Sequence, residues 1–157
     1  MSNDTMSNDT MSNDTIEQLV HLYSDAVVRR DAAQWGATWV PDGVWDLGRG
    51  RRVEGRDDIV AFWTTAMQGF TAVVQNVVNG TATVNHGAGD HGADSGVGRW
   101  YIIEHWQRVD NTRGILLAYY DDTYARVGGS WLFTSRKLIV QYSGPADLSG
   151  TFLNAQR

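Results

Sequence analysis

The last long apolar run of the chain, Trp131–Tyr142 (WLFTSRKLIVQY), alternates at every residue, which is the period of a strand. Leu132, Thr134, Arg136, Leu138 and Val140 fall on one face; Trp131, Phe133, Ser135, Lys137 and Ile139 fall on the other. A guanidinium on a mostly apolar face requires a buried acceptor, because an unpaired charge is too costly to keep in a core. The same two-residue period predicts further strands over about 71–85, 97–109 and 115–127. A glycine-rich loop (87–96), Asp110–Gly114 and Gly128-Gly129-Ser130 separate them, as in an antiparallel meander.

Before residue 71 the period is 3.6. Thr15 with Gln18, or Asp14 with Glu17, forms a capping box that starts a helix. Ile16, Leu19, Val20, Tyr23 and Val27 then make one apolar stripe running to about Arg30. Asp31 falls four residues after Val27, on the inward edge of that stripe, and can also cap a second helix over about 32–39 that carries Trp35 and Trp39 and stops before Pro41-Asp42-Gly43. Val44–Leu47 reads as a short strand and Gly48–Arg52 as a basic turn. Asp57 caps a third helix bearing Ile59, Phe62, Trp63, Ala66, Met67 and Phe70, with Gly69 at its end.

Helices first and hairpin strands afterwards make an α+β domain. Long strands twist, so the sheet is expected to curve around the helices as a cone and enclose a cavity at its open end. The domain spans 16–143, between a repeat tail (1–15, three copies of Met-Ser-Asn-Asp-Thr) and a C-terminal tail (144–157). The repeat is too short and too polar to fold, so that tail is expected to be disordered.

Composition narrows the function. A net charge of −5 argues against nucleic-acid or anionic-membrane partners. No stretch suits a bilayer span or a secretory signal. The absence of cysteine removes disulfides and thiolate chemistry, which fits a cytoplasmic protein. Gly87–Gly92 matches G-x-G-x-x-G but precedes no helix, and His86, Asp90, His91 and Asp94 sit in a glycine-rich loop costly to order, so neither a dinucleotide nor a metal site is expected.

The strings LYSDAVVRRDAAQWGATWVPDGVWDL, EGRDDIVAFW and YYDDTYARVGGSWLFTSRKL resemble the SnoaL-like branch of the nuclear-transport-factor-2-like superfamily. The likeness is greatest to the group holding hexachlorocyclohexane dehydrochlorinase and bile-acid 7α-dehydratase, with scytalone dehydratase more distant. It implies a cone-shaped α+β barrel with a deep apolar pocket, no cofactor, and a homotrimer or homodimer. In dehydrochlorinase-like members an Asp ending the first helix pairs with a His on the strand after the third helix, and an Arg on the last strand completes the site. Carried over, these positions are Asp31, Gln75 and Arg136. Gln75 departs from the pattern, and an amide cannot take up a proton near neutral pH.

Candidate site residues follow. Asp31 is a helix cap, or a carboxylate on the pocket rim that either pairs with Arg136 or acts as the base itself; Arg136 would stabilise developing negative charge. Glu104 shares parity with Trp100, Ile102 and Trp106; if that bulky face is inward it is a pocket carboxylate with raised pKa, and a one-residue bulge would exchange it for His105. Tyr23 and Tyr120 are phenolic donors or core aromatics. Gln75 and Asn79 can orient a polar group. Val27, Trp45, Trp63, Trp100 and Val140 are expected walls for a cyclic or aromatic ligand, with Trp35 and Trp39 beside them. The leading expectation is a cofactor-independent lyase, a dehydratase above all, on a small cyclic or aromatic hydroxylated compound. Dehydrohalogenation, or C–C cleavage releasing an aldehyde, would use the same parts. The alternatives are a proton-transfer isomerase and a non-catalytic binding module.

Overall fold

The computed structural model describes residues 13–153. Residues 1–12 of the repeat tail lie outside them, while Asn13 exchanges two hydrogen bonds with the backbone of Trp131. Of the two capping boxes, Thr15–Gln18 forms and opens α1 (Ile16–Arg29). The expected stripe of Ile16, Leu19, Val20, Tyr23 and Val27 is buried along one face. Arg30 then adopts the left-handed conformation and ends the helix. Asp31 therefore does not continue the stripe. Its carboxylate turns to α2 (Ala32–Ala37) and accepts from the Gln34 amide at 2.9 Å.

That second helix is shorter than its pattern suggested, because Trp39 begins strand β1 (Trp39–Asp46), which runs through Pro41-Asp42-Gly43. A break in the pairing of β1 between Trp39 and Val44 spares the proline a ladder donor that it lacks. Strand β2 (Arg52–Glu54) folds back on β1. Helix α3 (Arg56–Met67) starts from Gly55 at φ 86° with no side-chain cap, so Asp57 lies inside its first turn.

Strands β3 (Phe70–Asn85), β4 (Ser95–Arg108), β5 (Arg113–Val127) and β6 (Ser130–Gly144) form the meander. The sheet order is β2-β1-β6-β5-β4-β3, antiparallel except for β1 beside β6, a parallel pair that a simple meander does not contain. With β2 and β3 as its edges the sheet is curved and unclosed, and the helices cover its inner face.

Two bulges decide which side chains face inward. On β6, Phe133 pairs with Tyr124 and Ser135 with Thr123, leaving Thr134 as the extra residue. Trp131, Phe133 and Arg136 consequently share the inner face, where strict alternation had set them apart. On β3 the register shifts between Val77 and Asn79. Val73 and Gln75 are buried, whereas Asn79 is exposed and pairs with Tyr101.

The core is aromatic: Trp35 stacks on Trp63 at 4.7 Å, and Tyr23, Trp39, Phe133 and Tyr124 extend the cluster. Glycine is required at two close approaches. A Cβ on Gly80 would stand 2.4 Å from the Trp100 ring, and one on Gly98 would stand 2.7 Å from the Tyr124 hydroxyl. The C-terminal segment folds back on β6, where the Leu153 amide donates to the Gln141 carbonyl and Phe152 packs on Tyr142. No helix is long and apolar enough to cross a membrane.

Candidate active site

Arg136 lies under the centre of the cone with a side chain 1% exposed. Its acid is Asp122, directly opposite on β5, which accepts from Nε at 2.8 Å and Nη2 at 3.0 Å. The expected pairing of Arg136 with Asp31 is corrected accordingly. Asp31 meets Arg29 at 3.6 Å with about a third of its side chain in solvent, because the left-handed turn at Arg30 directs it to the second helix. Tyr124 donates to the same Asp122 carboxylate at 2.8 Å and accepts from the Trp100 indole at 2.9 Å. Every oxygen of this buried acid is thus engaged. Burial pushes Asp122 up, and Arg136 and Tyr124 oppose it. Burial likewise opposes the charge on Arg136, yet Asp122 and the phenols hold its pKa above the ordinary value, so it remains a cation.

Three rings enclose the guanidinium. Its carbon stands 3.9 Å from the Tyr120 centroid, 4.1 Å from Phe133 and 4.3 Å from Tyr23, where a desolvated cation is held strongly by the ring faces. The Tyr23 and Tyr120 hydroxyls are 3.4 Å apart. Burial raises both phenols, so both are neutral donors at neutral pH, and Arg136 works in the opposite direction by favouring negative charge on either oxygen.

Above this floor lies a cavity of about 300 Å³, at the lower end of the usual range for small-molecule pockets. Tyr23, Val27, Trp45, Trp63, Gln75, Glu104 and Tyr120 line it, together with Phe62, Met67, Trp106 and Leu138. Glu104 faces inward and His105 is exposed on the outer side, since the ladder between β3 and β4 is regular from Val73 to Val77 and places Glu104 opposite Gln75. The Gln75 amide donates to Glu104 at 2.9 Å, and its carbonyl oxygen accepts from the Ser24 hydroxyl at 2.7 Å. Burial raises the Glu104 carboxyl above its ordinary value, and the Gln75 donor opposes the rise. A desolvated carboxylate with a fixed orientation, facing a pair of neutral phenols, can accept a proton from carbon while the phenols hydrogen-bond a departing oxygen.

Other expected wall residues lie elsewhere. Asn79 is turned outward by its bulge. Trp100 is committed to Tyr124. Val140 lines an adjoining cavity on the far side of Leu138. Sequence reasoning missed Asp122 and Ser24. The alternation Tyr120, Asp122, Tyr124 carries the first signal, since it places one carboxylate on an aromatic inner face. Ser24 lies four residues after Val20 on the buried stripe, where a hydroxyl needs a partner. His86 and Asp94 approach to 3.4 Å in the loop after β3, and among the described residues no group of three or more acidic, His or Cys side chains is placed to hold a metal.

An α+β cone whose helices close over a small, acid-bearing aromatic pocket defines a class of small-molecule domains. Residues 9–137 match the family described as SnoaL-like domain, and the chain belongs to that family, within the nuclear-transport-factor-2-like superfamily. No curated protein is significantly similar to it in sequence. Among solved structures, it resembles a protein from Novosphingobium aromaticivorans provisionally named scytalone dehydratase, with TM-score 0.74 and 17% identity over 90% of this chain and 92% of that one. It also resembles a hexachlorocyclohexane dehydrochlorinase, LinA Type2, with TM-score 0.71 and 16% identity over 89% and 90% of the two chains. A third likeness is to the LinA-type3 dehydrochlorinase of Novosphingobium barchaimii, with TM-score 0.68 and 16% identity over 90% and 92%. At these identities the likeness is one of fold.

Proposed function

We propose that this protein is a cofactor-independent lyase that eliminates water from a small cyclic or aromatic hydroxylated compound, working as a cytoplasmic homo-oligomer. The observation that carries the reading is Glu104, a partly buried carboxylate with raised pKa, held by Gln75 and facing the Tyr23–Tyr120 pair across a cavity walled by tryptophan. The names of the structural neighbours, a dehydratase and dehydrochlorinases, support an elimination.

In this mechanism Glu104 takes the proton from the carbon next to the one bearing the hydroxyl. The C–H electron pair becomes the new double bond, and the hydroxyl leaves as water with a proton from the phenol pair, which the proton on Glu104 later restores through solvent. Gln75 replaces the histidine of the resembling group as an orienting amide, so the carboxylate itself is the base. Arg136 works through the phenols, whose developing negative charge it favours, and is a positioning residue. Asp31 has a structural role.

The test is a panel of hydroxylated cyclic and aromatic compounds incubated with the protein, with loss of water followed by mass spectrometry. Turnover that disappears in Glu104→Gln supports the reading. Turnover that survives in that variant assigns the base elsewhere, and compounds that bind and are recovered unchanged make the domain a binder.

A further inference from the structure

The cavity that holds Glu104 is not isolated. It shares Leu47, Arg51, Leu116, Leu138 and Ser143 with an adjoining cavity of about 830 Å³, which the folded-back residues Thr151 and Leu153 help to line. The charges along this path are unlike those of the whole chain, which is acidic by five. Arg51 and Arg108 line the inner cavity, Arg49 and Arg51 line the outer one, and among the described residues Glu104 is the single acid lining either.

Neither Arg51 nor Arg108 forms an ion pair among the described residues, whereas Arg29, Arg52, Arg99 and Arg136 each hold a carboxylate. Arg51 follows a tight turn through Gly48, Arg49 and Gly50, all at positive φ, and its side chain donates to the Leu47 carbonyl at 3.4 Å. Arg108 is exposed where it lines the cavity and lies over the rings of Phe70 and Trp106 at 4.9 and 5.1 Å; Asp110 feels its charge without pairing to it. Both arginines are exposed, so the mouth of the inner cavity carries two cations against the one carboxylate inside it, an excess of one positive charge.

We propose that the substrate of this site bears a carboxylate, received at the mouth by Arg51 and Arg108, while its ring lies against Trp45 and Trp63 and its reacting carbon faces Glu104. A planar carboxylate suits the fork of an arginine, and a single negative charge balances the excess where a dianionic phosphate would overfill it. The inference rests on the elimination reading for which end of the ligand is placed deep, but the arginine site can be tested separately.

The experiment is calorimetric titration of the full chain with three probes of similar ring size: cinnamate, cinnamyl alcohol and phenyl phosphate. Cinnamate is expected to bind at least about tenfold more tightly than the neutral alcohol, and Arg51→Gln and Arg108→Gln are each expected to remove about tenfold of its affinity while leaving the alcohol unchanged. Glu104→Gln, which removes a like charge, is expected to retain or tighten cinnamate binding. Equal affinity for acid and alcohol, no detectable cinnamate binding, or arginine variants that bind cinnamate normally would overturn the proposal, as would phenyl phosphate binding more tightly than cinnamate. If cinnamate binds as expected but no hydroxylated carboxylate is turned over, the elimination reading fails and the carboxylate site stands. Turnover of neutral alcohols without carboxylate binding gives the reverse.

Discussion

Two acids point into the interior of this domain, and their surroundings give them opposite tasks. Asp122, on the floor, is saturated: Arg136 donates to it twice and Tyr124 once, and the guanidinium beside it is walled by three rings. Glu104, in the wall, has one donor, Gln75, and open cavity in front of it. A buried charge with both of its oxygens held by donors is a structural element. One that is desolvated and only partly matched is available for proton transfer. Glu104 is the less deeply buried of the two, and it also has fewer committed donors.

The largest effect expected from this contrast is on stability. Arg136→Met leaves Asp122 buried without its partner, and Asp122→Asn does the same to Arg136, so each should lower the unfolding free energy by about 3–5 kcal/mol in chemical denaturation. Stability unchanged in both would place the pair outside the folding unit and undo the comparison.

Next is Glu104→Gln. It should reduce turnover by about 10²–10⁴-fold, the usual contribution of a general base, while leaving the fold intact. The pH dependence sharpens this. Because the folded-state pKa of Glu104 is raised, the folded protein holds a proton that the unfolded chain has lost as pH rises above the ordinary carboxylate range. Stability due to this group therefore falls through that window up to the raised value. The variant lacks that fall, so above the window it should melt higher than the parent while being inactive.

Gln75→Leu has a smaller effect of a different kind. It removes the donor that holds the Glu104 carboxyl down and leaves the buried Ser24 hydroxyl without its acceptor. The acidic limb of kcat/KM against pH should move to higher pH, and stability should drop by about 1–3 kcal/mol. A limb that stays in place would remove Gln75 from the proton-transfer account.

The smallest effect belongs to Asp31→Ala, which loses one helix cap, about 1 kcal/mol by thermal melting, and should leave turnover unchanged.

The long strands were legible from their two-residue alternation, and the first helix from Thr15, Gln18 and its stripe, because these signals are local. Alternation left Glu104 and His105 as alternatives, and the regular ladder opposite Gln75 decides for Glu104. What local pattern could not supply were the interruptions: Thr134 as an extra residue brings Phe133 and Arg136 to the same side, and the register shift before Asn79 turns that residue outward. The misassigned partner of Arg136 has the same origin. Extending the helical stripe to Asp31 ignored the left-handed turn at Arg30, while Asp122 was marked by the ordinary alternation of its own strand.

The most direct test needs no substrate. Carboxyl-¹³C-labelled glutamate, with the Glu104 resonance assigned by its absence from Glu104→Gln, allows the group to be titrated by NMR. Titration above the ordinary carboxylate range, moving higher still in Gln75→Leu, is the predicted result. A Glu104 that titrates like a surface glutamate would contradict the assignment of this residue as the desolvated base.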